Sequence, residues 1–467
     1  MKKHYETHVE DTDKLISVAG PVLDYKSWYE QYRKLMEEQA QRKYGLYTPT
    51  SEGDDDFPSI SGMIARYSAL GLTNEQMAAN PVWVDKTGNG HDLQMKNFAW
   101  KEGSGISDVY LGALVFDGVD DYGVCDNFPI LTKEKGYTVV ALRQWIEEKN
   151  SVTALASNSK NWNQDGAFVF EYNNLENNYP NIEISFGSNN MFDRGLSPYS
   201  YQTSKSYNGN LIESGSFSGS DKLVVAKANE NLSPNSNVAI WELVFLDHDA
   251  TEEELTKIKD YFVKTYPWLF PDQAWTVVGK TNEDEDRATI ANITGNGNDL
   301  ILSNFGFAEG SGYNEQGEYA GYLVTDGVDD KITSSIFEMG NDWTIIGDWE
   351  LINTEKKDNA GIVKFNSIVI YNYNPILINI KNGRNNLIPD QNTVNAICSD
   401  GRIYSKDWKE SIYNEETEST SKNFLTIGYS GNSYTKIAFK NLAIYPTVLS
   451  KENCIKAYNY LQTLKAK

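Results

Sequence analysis

Apolar residues along this chain recur mainly at every second position, in short runs broken by Gly, Asn and Asp. In "DLQMKNF" Leu93 and Met95 share one face, and "PVWV" (Pro81–Val84) alternates just before it. "ALVF" (Ala113–Phe116), "YGVC" (Tyr122–Cys125), "YTVVAL" (Tyr137–Leu142), "GAFVFEY" (Gly166–Tyr172), "NIEISFG" (Asn181–Gly187) and "DKLVVAKA" (Asp221–Ala228) continue the series. A two-residue period over short runs predicts half-buried strands, and many of them with Gly/Asn/Asp punctuation predict an all-β sandwich. Three stretches carry the helical period instead. Residues 24–44 place Tyr25, Trp28, Tyr29, Tyr32, Leu35, Met36 and Ala40 on one stripe. "TEEELTKIKDYFVKTY" (Thr251–Tyr266) opens with a capping box, Thr251 to Glu254, and turns Leu255, Ile258 and Phe262 inward. A last helix opens at Ser450 with Ala457, Tyr460, Leu461 and Leu464 inward.

The strand pattern is written twice. "TGNGHDLQMKNF" (Thr87–Phe98) returns as "TGNGNDLILSNF" (Thr294–Phe305), with eight of twelve positions identical and an offset of 207 residues. "EGSG" (Glu102–Gly105) returns at Glu309–Gly312, "DGVDD" (Asp117–Asp121) at Asp326–Asp330, and "TNE" (Thr73–Glu75) at Thr281–Glu283. A period of this size is that of a whole domain rather than a solenoid unit. The expected organisation is therefore an N-terminal helical segment over 1–47, an acidic linker over 48–61 containing Asp54, Asp55 and Asp56, a first β-sandwich over 62–270 and a second over 271–467, each closed by a helix. "YPWLFPDQ" (Tyr266–Gln273) joins the copies, and its two prolines and large apolar side chains predict that they abut. The Asn-Gly of each "TGNG" predicts a tight hairpin turn.

These residues support a resemblance. The turn "D-x-[ST]-G-N-G-x-D-L" at Asp85–Leu93, "FDGVDDY" at Phe116–Tyr122, and a late strand followed by a helix-opening Thr-Glu-Glu near Leu246–Glu254 resemble the concanavalin A-like, laminin-G-like jelly rolls. The second copy departs at Lys331, where that pattern has an aromatic. The wording of Gly279–Tyr313 is similar to tandem modules in virion proteins of phages of gut Bacteroidota, including the crAss-like group. Residues 1–61 lie outside the resemblance. It implies two jelly-roll sandwiches and a place on a virion.

Composition narrows the partners. The net charge is −23, so nucleic acid and anionic membranes are repelled. No run is long and apolar enough to span a bilayer, and the first residues lack the apolar core of a Sec-type signal. Cys125, Cys398 and Cys454 are odd in number and occupy no matching places in the copies, which predicts buried free thiols. His4, His8, His91 and His248 show no zinc-ligand spacing.

Two candidate sites follow. Asp117, Asp120 and Asp121, with Asp326, Asp329 and Asp330, offer hard oxygen donors, and the resemblance implies calcium at the Asp120/Asp121 and Asp329/Asp330 turns. The residues themselves favour turn capping by local hydrogen bonds, with no cofactor or catalytic group required. The second candidate is a set of aromatics expected in polar loops, Trp162, Tyr199, Tyr201 and Tyr207, which can stack on sugar rings. A glycosidase of this fold needs paired carboxylates in an E-x-D-x-E string, and none is present. The expectation is a non-enzymatic virion protein, a tail or head fibre or decoration component with two lectin-like modules for host-surface glycan or protein. Trp28, Tyr32 and Leu35 would attach it to other virion proteins or to further copies, a homotrimer above all. A bacterial surface glycan-binding protein is the alternative reading, and a glycan-degrading enzyme a weaker third.

Overall fold

The computed structural model describes residues 56–131, 135–147, 153–162, 168–171, 198–204, 217–228, 231, 235–352, 361–365, 368–371, 377–380, 385–387, 394–412, 425–430 and 433–466. The helix expected over 24–44 with Trp28, Tyr32 and Leu35, the strand expected over Asn181–Gly187, and Tyr207 fall outside those residues. Phe57–Lys467 forms one compact unit.

The unit is mainly β, and among the described residues every strand pairing is antiparallel. In the first copy one sheet runs Tyr199–Thr203, Thr138–Glu147, Asn237–Leu246, Leu114–Asp117, Gly105–Ile106, with Met63–Ser68 also paired to Asn237–Leu246. The other runs Val82–Trp83, Leu93–Lys96, Tyr122–Cys125, Phe217–Val225, Ala156–Trp162, Val169–Phe170. The second copy repeats this order. Thr344–Leu351 pairs with Ile437–Tyr445 as Thr138–Glu147 pairs with Asn237–Leu246, and Gln273–Thr276 takes the place of Met63–Ser68. It adds strands at one edge of each sheet, Arg402–Ser405 with Glu410–Ile412, and Leu377–Ile380 with Asn385–Leu387.

Each pair of sheets encloses an apolar interior. In the first copy Tyr67, Phe116, Val139, Leu243 and Phe245 of one sheet meet Trp83, Leu93, Met95, Leu223 and Val225 of the other. In the second, Trp275, Leu323, Ile345, Leu442 and Ile444 meet Ile290, Leu300, Ile332 and Ile427. The strands Asn237–Leu246 and Ile437–Tyr445 are buried on both faces. That explains why "VAIWELVFL" reads as an almost unbroken apolar run where its neighbours alternate.

The second face of those strands packs on helices. Helix α1 (Asn74–Ala79) is a short cap at the sandwich edge. Helix α2 (Glu252–Thr265) closes the first copy, and helix α3 (Lys451–Gln462) closes the second. Thr251 and Glu254 form the expected capping box, and Ser450 Oγ accepts the Asn453 amide at 3.2 Å. From α2, Ile258, Tyr261 and Phe262 are buried; from α3, Cys454, Ala457, Tyr460 and Leu461. With Tyr266, Trp268 and Leu269 of the connector they join the outer faces of the two sheets in a single apolar layer containing Leu142, Trp241, Val244, Ile346, Ala443 and Tyr445. Tyr445 Oη donates to the Trp268 carbonyl at 3.0 Å, and Gln144 Nε2 donates to Thr463 Oγ1 at 3.2 Å. The copies thus abut through shared core, as the connector's composition predicts. Phe57 and Ile60, read from sequence as part of the 48–61 linker, belong to this layer, with the Phe57 ring 4.8 Å from that of Tyr261.

Under α2 lies a buried ion pair. Glu242 accepts Arg66 Nε at 3.1 Å, Ser68 Oγ at 2.7 Å and Tyr266 Oη at 2.7 Å. The register puts Ala274 and Asn441 at the corresponding places in the second copy, and Asn441 Nδ2 donates to the Leu461 carbonyl at 3.3 Å. The duplicated position has therefore kept its burial and changed its polar partner.

The repeated loops are clamps on strand edges. "TGNG" is not the tight hairpin its Asn-Gly predicts. Trp83 pairs with Leu93, leaving 84–92 as a longer connection built around the buried Asp85. Asp85 Oδ1 accepts the amides of Arg66 at 3.1 Å and Thr87 at 3.0 Å, and Asn89 Nδ2 donates to the Ile64 carbonyl at 2.8 Å. In the second copy Asn292 Oδ1 accepts the amides of Ala274 at 3.2 Å and Thr294 at 3.1 Å, and Asn296 Nδ2 donates to the Asp272 carbonyl at 2.7 Å. The loop pins the first strand of each sandwich, which a short hairpin does not reach. The repeated "TNE" asparagine does the same elsewhere. Asn74 bonds both the amide and carbonyl of Ile106 at 2.7 Å, and Asn282 those of Tyr313 at 2.8 and 2.7 Å. Its close approach explains the second glycine of "EGSG". A Cβ on Gly105 or Gly312 would lie 2.3 or 2.5 Å from the asparagine Oδ1.

A shared layer predicts shared unfolding. Calorimetry should show one cooperative transition for the two sandwiches. Leu461→Ala, a change in the second copy's helix, should cost about 2–5 kcal/mol and lower the melting of both. Two separate transitions, with the first copy's indifferent to this substitution, would contradict the fused core.

Candidate functional site

The acidic turns are brought together in both copies. One carboxylate oxygen from each of Asp117, Asp120 and Asp121 lies within 4.8 Å of the others, and Asp326, Asp329 and Asp330 repeat this. Asp117 Oδ1 accepts the amides of Val119 at 2.7 Å, Asp120 at 3.2 Å and Asp121 at 3.4 Å. Asp326 Oδ1 matches it at Val328, Asp329 and Asp330, with distances of 2.7, 3.2 and 3.4 Å. The last carboxylate of each triad folds back, Asp121 Oδ2 onto the Asp117 amide at 3.1 Å and Asp330 Oδ2 onto the Asp326 amide at 2.7 Å. These are capped turns, as the residues suggest. Each triad still gathers one oxygen from each of three carboxylates, a set that suits a hard cation.

Asp121 and Asp330 are buried. Burial pushes each carboxyl up to about 6. Ser311 Oγ donates to Asp330 Oδ1 at 3.1 Å. Ser104 stands beside Asp121 but off hydrogen-bond geometry, so Asp121 Oδ1 is left without a partner.

The departure at Lys331 has a partner change of its own. Tyr122 in the first copy lies under Lys227 Nζ, 4.7 Å from the ring centre. In the second, Lys331 Nζ lies 4.8 Å over Tyr429, which occupies the place of Lys227. The cation–π pair is conserved with its members exchanged.

Two of the four aromatics expected in polar loops, Tyr199 and Tyr201, stand on a strand instead, Tyr199–Thr203, and Trp162 ends a strand of the opposite sheet. Tyr199 is 7% exposed because its ring packs 6.1 Å from that of Phe262 and its hydroxyl donates to the Leu255 carbonyl at 3.3 Å. It is a core residue under α2 rather than a loop platform, and Tyr201 packs against the same layer. All three cysteines are buried and free, as expected.

A different aromatic group stands on the outer face of the second copy's sheet, beside α3. Asp348, 8% exposed, accepts Tyr322 Oη at 3.2 Å, and Lys440 Nζ lies 3.9 Å from its other oxygen. Burial raises its pKa, with Lys440 opposing. Glu350 follows on the same face and pairs with Lys406. Tyr319 meets Tyr322 edge-on at 6.4 Å and 84°, and Trp408 meets Tyr458 edge-on at 5.7 Å and 82°. Sequence reading missed this group because its members come from separate strands and a helix. One signal was present: Asp348 falls on the polar phase of "TIIGDWEL", but the aligned position of the first copy is the apolar Leu142.

No family model matches the chain, and no curated protein matches it. Among solved structures it is similar to Trypanosoma rangeli sialidase in complex with sialic acid, at 10% identity over 50% of this chain and 42% of that one, TM-score 0.31. The binding domain of Paraclostridial Mosquitocidal Protein 1 shows 14% identity over 40% and 51%, TM-score 0.26. The botulinum neurotoxin type G receptor binding domain shows 13% identity over 40% and 50%, TM-score 0.26. The chain spans less than half of the sialidase, and similarity at this level assigns neither family nor activity.

The buried turn carboxyls predict a pH dependence. Their folded pKa of about 6 lies above the unfolded 3.8, so between those values the folded state holds protons that the unfolded state does not. Their penalty is therefore full above about pH 6 and relieved as pH falls toward 4. The rise in melting temperature from about pH 7.5 to about pH 5 should shrink in Asp121→Asn/Asp330→Asn. An identical rise in that variant would remove these two groups as its source. If capping is their whole role, millimolar calcium leaves the melting temperature unchanged; a calcium-induced rise confined to the unaltered protein would instead assign them a cation.

Proposed function

We propose that the chain is a non-enzymatic virion protein, a fibre or decoration component of tail or head that displays two sandwich modules for adhesion to a host-surface glycan or protein. The observation that carries this reading is the fusion of two repeated sandwiches through one apolar layer. Such a block presents its outer surfaces in fixed relation, which suits display. The similarity of Gly279–Tyr313 to phage virion modules supplies the setting. The buried carboxylates outside the acidic turns are engaged in structure: Glu242 with Arg66, Glu171 with Arg143 Nε at 2.8 Å and Trp145 Nε1 at 2.8 Å, Asp85 with the amides of its loop and first strand, and Asp348 with Tyr322 and Lys440. The acidic turns act first as capped turns, and calcium at Asp120/Asp121 and Asp329/Asp330 is their second use.

Residues 1–55 serve in this reading as the attachment or oligomerisation segment, through Trp28, Tyr32 and Leu35. The full chain should co-purify with intact particles and self-associate, a trimer being expected. A chain lacking residues 1–55 keeps Phe57 and Ile60 of the shared layer, and should remain folded while losing both properties. Particle association undiminished by that deletion would end the anchor assignment. Recovery of the protein from a bacterial envelope, with none on particles, would favour a bacterial surface glycan-binding protein.

A further inference from the structure

The tyrosine-lined face of the second sandwich has a composition that its structural duties do not require. At the aligned places the first copy has Ala113 for Tyr322 and Leu142 for Asp348, and both sit in the apolar layer. A sheet of this design therefore closes without polar groups there. Burying a carboxylate is costly unless it is paired, yet the second copy keeps one.

We propose that this face binds an uncharged saccharide, which rests on the adhesive reading above and names its ligand class. Three features select that class. First, acceptors and donors stand side by side: the Asp348 and Glu350 carboxylates, the Tyr322 hydroxyl and the ammonium groups of Lys440 and Lys406. Gln462 adds an Nε2 that is buried, close to Asp348 but off hydrogen-bond geometry, and without a partner. Vicinal sugar hydroxyls both donate and accept, and so match a mixed set. Secondly, the charges balance. Asp348 pairs with Lys440 and Glu350 with Lys406, so in a chain of net charge −23 this patch attracts neither a cation nor an acidic sugar. Thirdly, the aromatic rings are held upright. Tyr319 on Tyr322 and Trp408 on Tyr458 meet edge-on, a geometry that fixes the rings against one another. Trp408 has φ of +57°, a left-handed conformation unusual for a bulky residue, and its amide bonds the Ser405 carbonyl at 2.9 Å. The half-buried indole of Trp408, packed on the apolar layer beside the polar cluster, supplies the apolar platform that a sugar ring's C–H face needs.

The test uses the full chain and saturation-transfer NMR with free D-glucose, D-galactose, D-mannose and N-acetyl-D-glucosamine, and with N-acetylneuraminic acid as the charged comparison. At least one neutral sugar should bind, and the acidic one should not. Trp408→Ala and Asp348→Asn should each weaken binding by at least about tenfold in protein that calorimetry shows to be folded, whereas Tyr201→Ala in the first copy, which also trims the apolar layer, should leave it intact. Should Asp348→Asn fail to fold, Trp408→Ala decides. The proposal is overturned if none of the four neutral sugars binds, if the acidic sugar binds better, or if binding survives both substitutions. Particle association is scored separately. Sugar binding without it would leave this site standing and remove the virion reading; association and cell adhesion indifferent to both substitutions would do the reverse.

Discussion

Everything in this molecule depends on two strands that have no solvent face. Asn237–Leu246 and Ile437–Tyr445 each bury one side in their own sandwich and the other in a layer common to both copies. A strand buried on both sides fixes register on both sides, because a slip of one residue would exchange two different sets of partners. The helices α2 and α3 follow from this. A sheet whose outer face is apolar must cover it, and a capped helix directly after the central strand is the shortest available cover. Pressing the two covered faces together buries the helices as well, so the connector Pro267–Leu269 works as core rather than as a hinge.

Much of this was legible in the chain. The two-residue alternation located the strands, the capping residues located α2 and α3, and the repeat located the duplication. Reading failed where local grammar and tertiary need diverge. Asn-Gly announces a two-residue turn, but here it tips a longer loop whose side chains reach back to the first strand. Tyr199 stood among polar neighbours that suggested a loop, while its own strand pairing sends it under a helix. Loop polarity is only a correlation, and burial is decided by which face an element shows to its neighbours. The candidate face around Asp348 was illegible for a different reason: it is assembled from residues 319 to 462, and only the comparison of the two copies exposes its one anomalous position.

The two copies differ in their buried polar groups. In the first, the buried polar centre is an ion pair, Arg66 with Glu242, stapling the first strand, the central strand and the connector tyrosine. In the second, the equivalent positions carry Ala274 and Asn441, and charge appears instead at Asp348, nearer the surface. Buried ion pairs contribute little net stability, yet removing one member is severe, so such a pair restricts what its surroundings can become. The second copy, without that restriction, has room for a polar face.

The exchanged cation–π pair bears on how two such similar modules fold side by side. Tandem domains of like sequence are prone to trade strands while folding. The strand Tyr122–Cys125 of the first copy, inserted into the second, would set Tyr122 against Tyr429; the reverse trade would set Lys331 against Lys227. The first mismatch replaces the native attraction with an aromatic contact of similar size, whereas the second places two like charges together. Reversing one pair of residues therefore works as a one-way key, by which the first module turns away the strand of its twin.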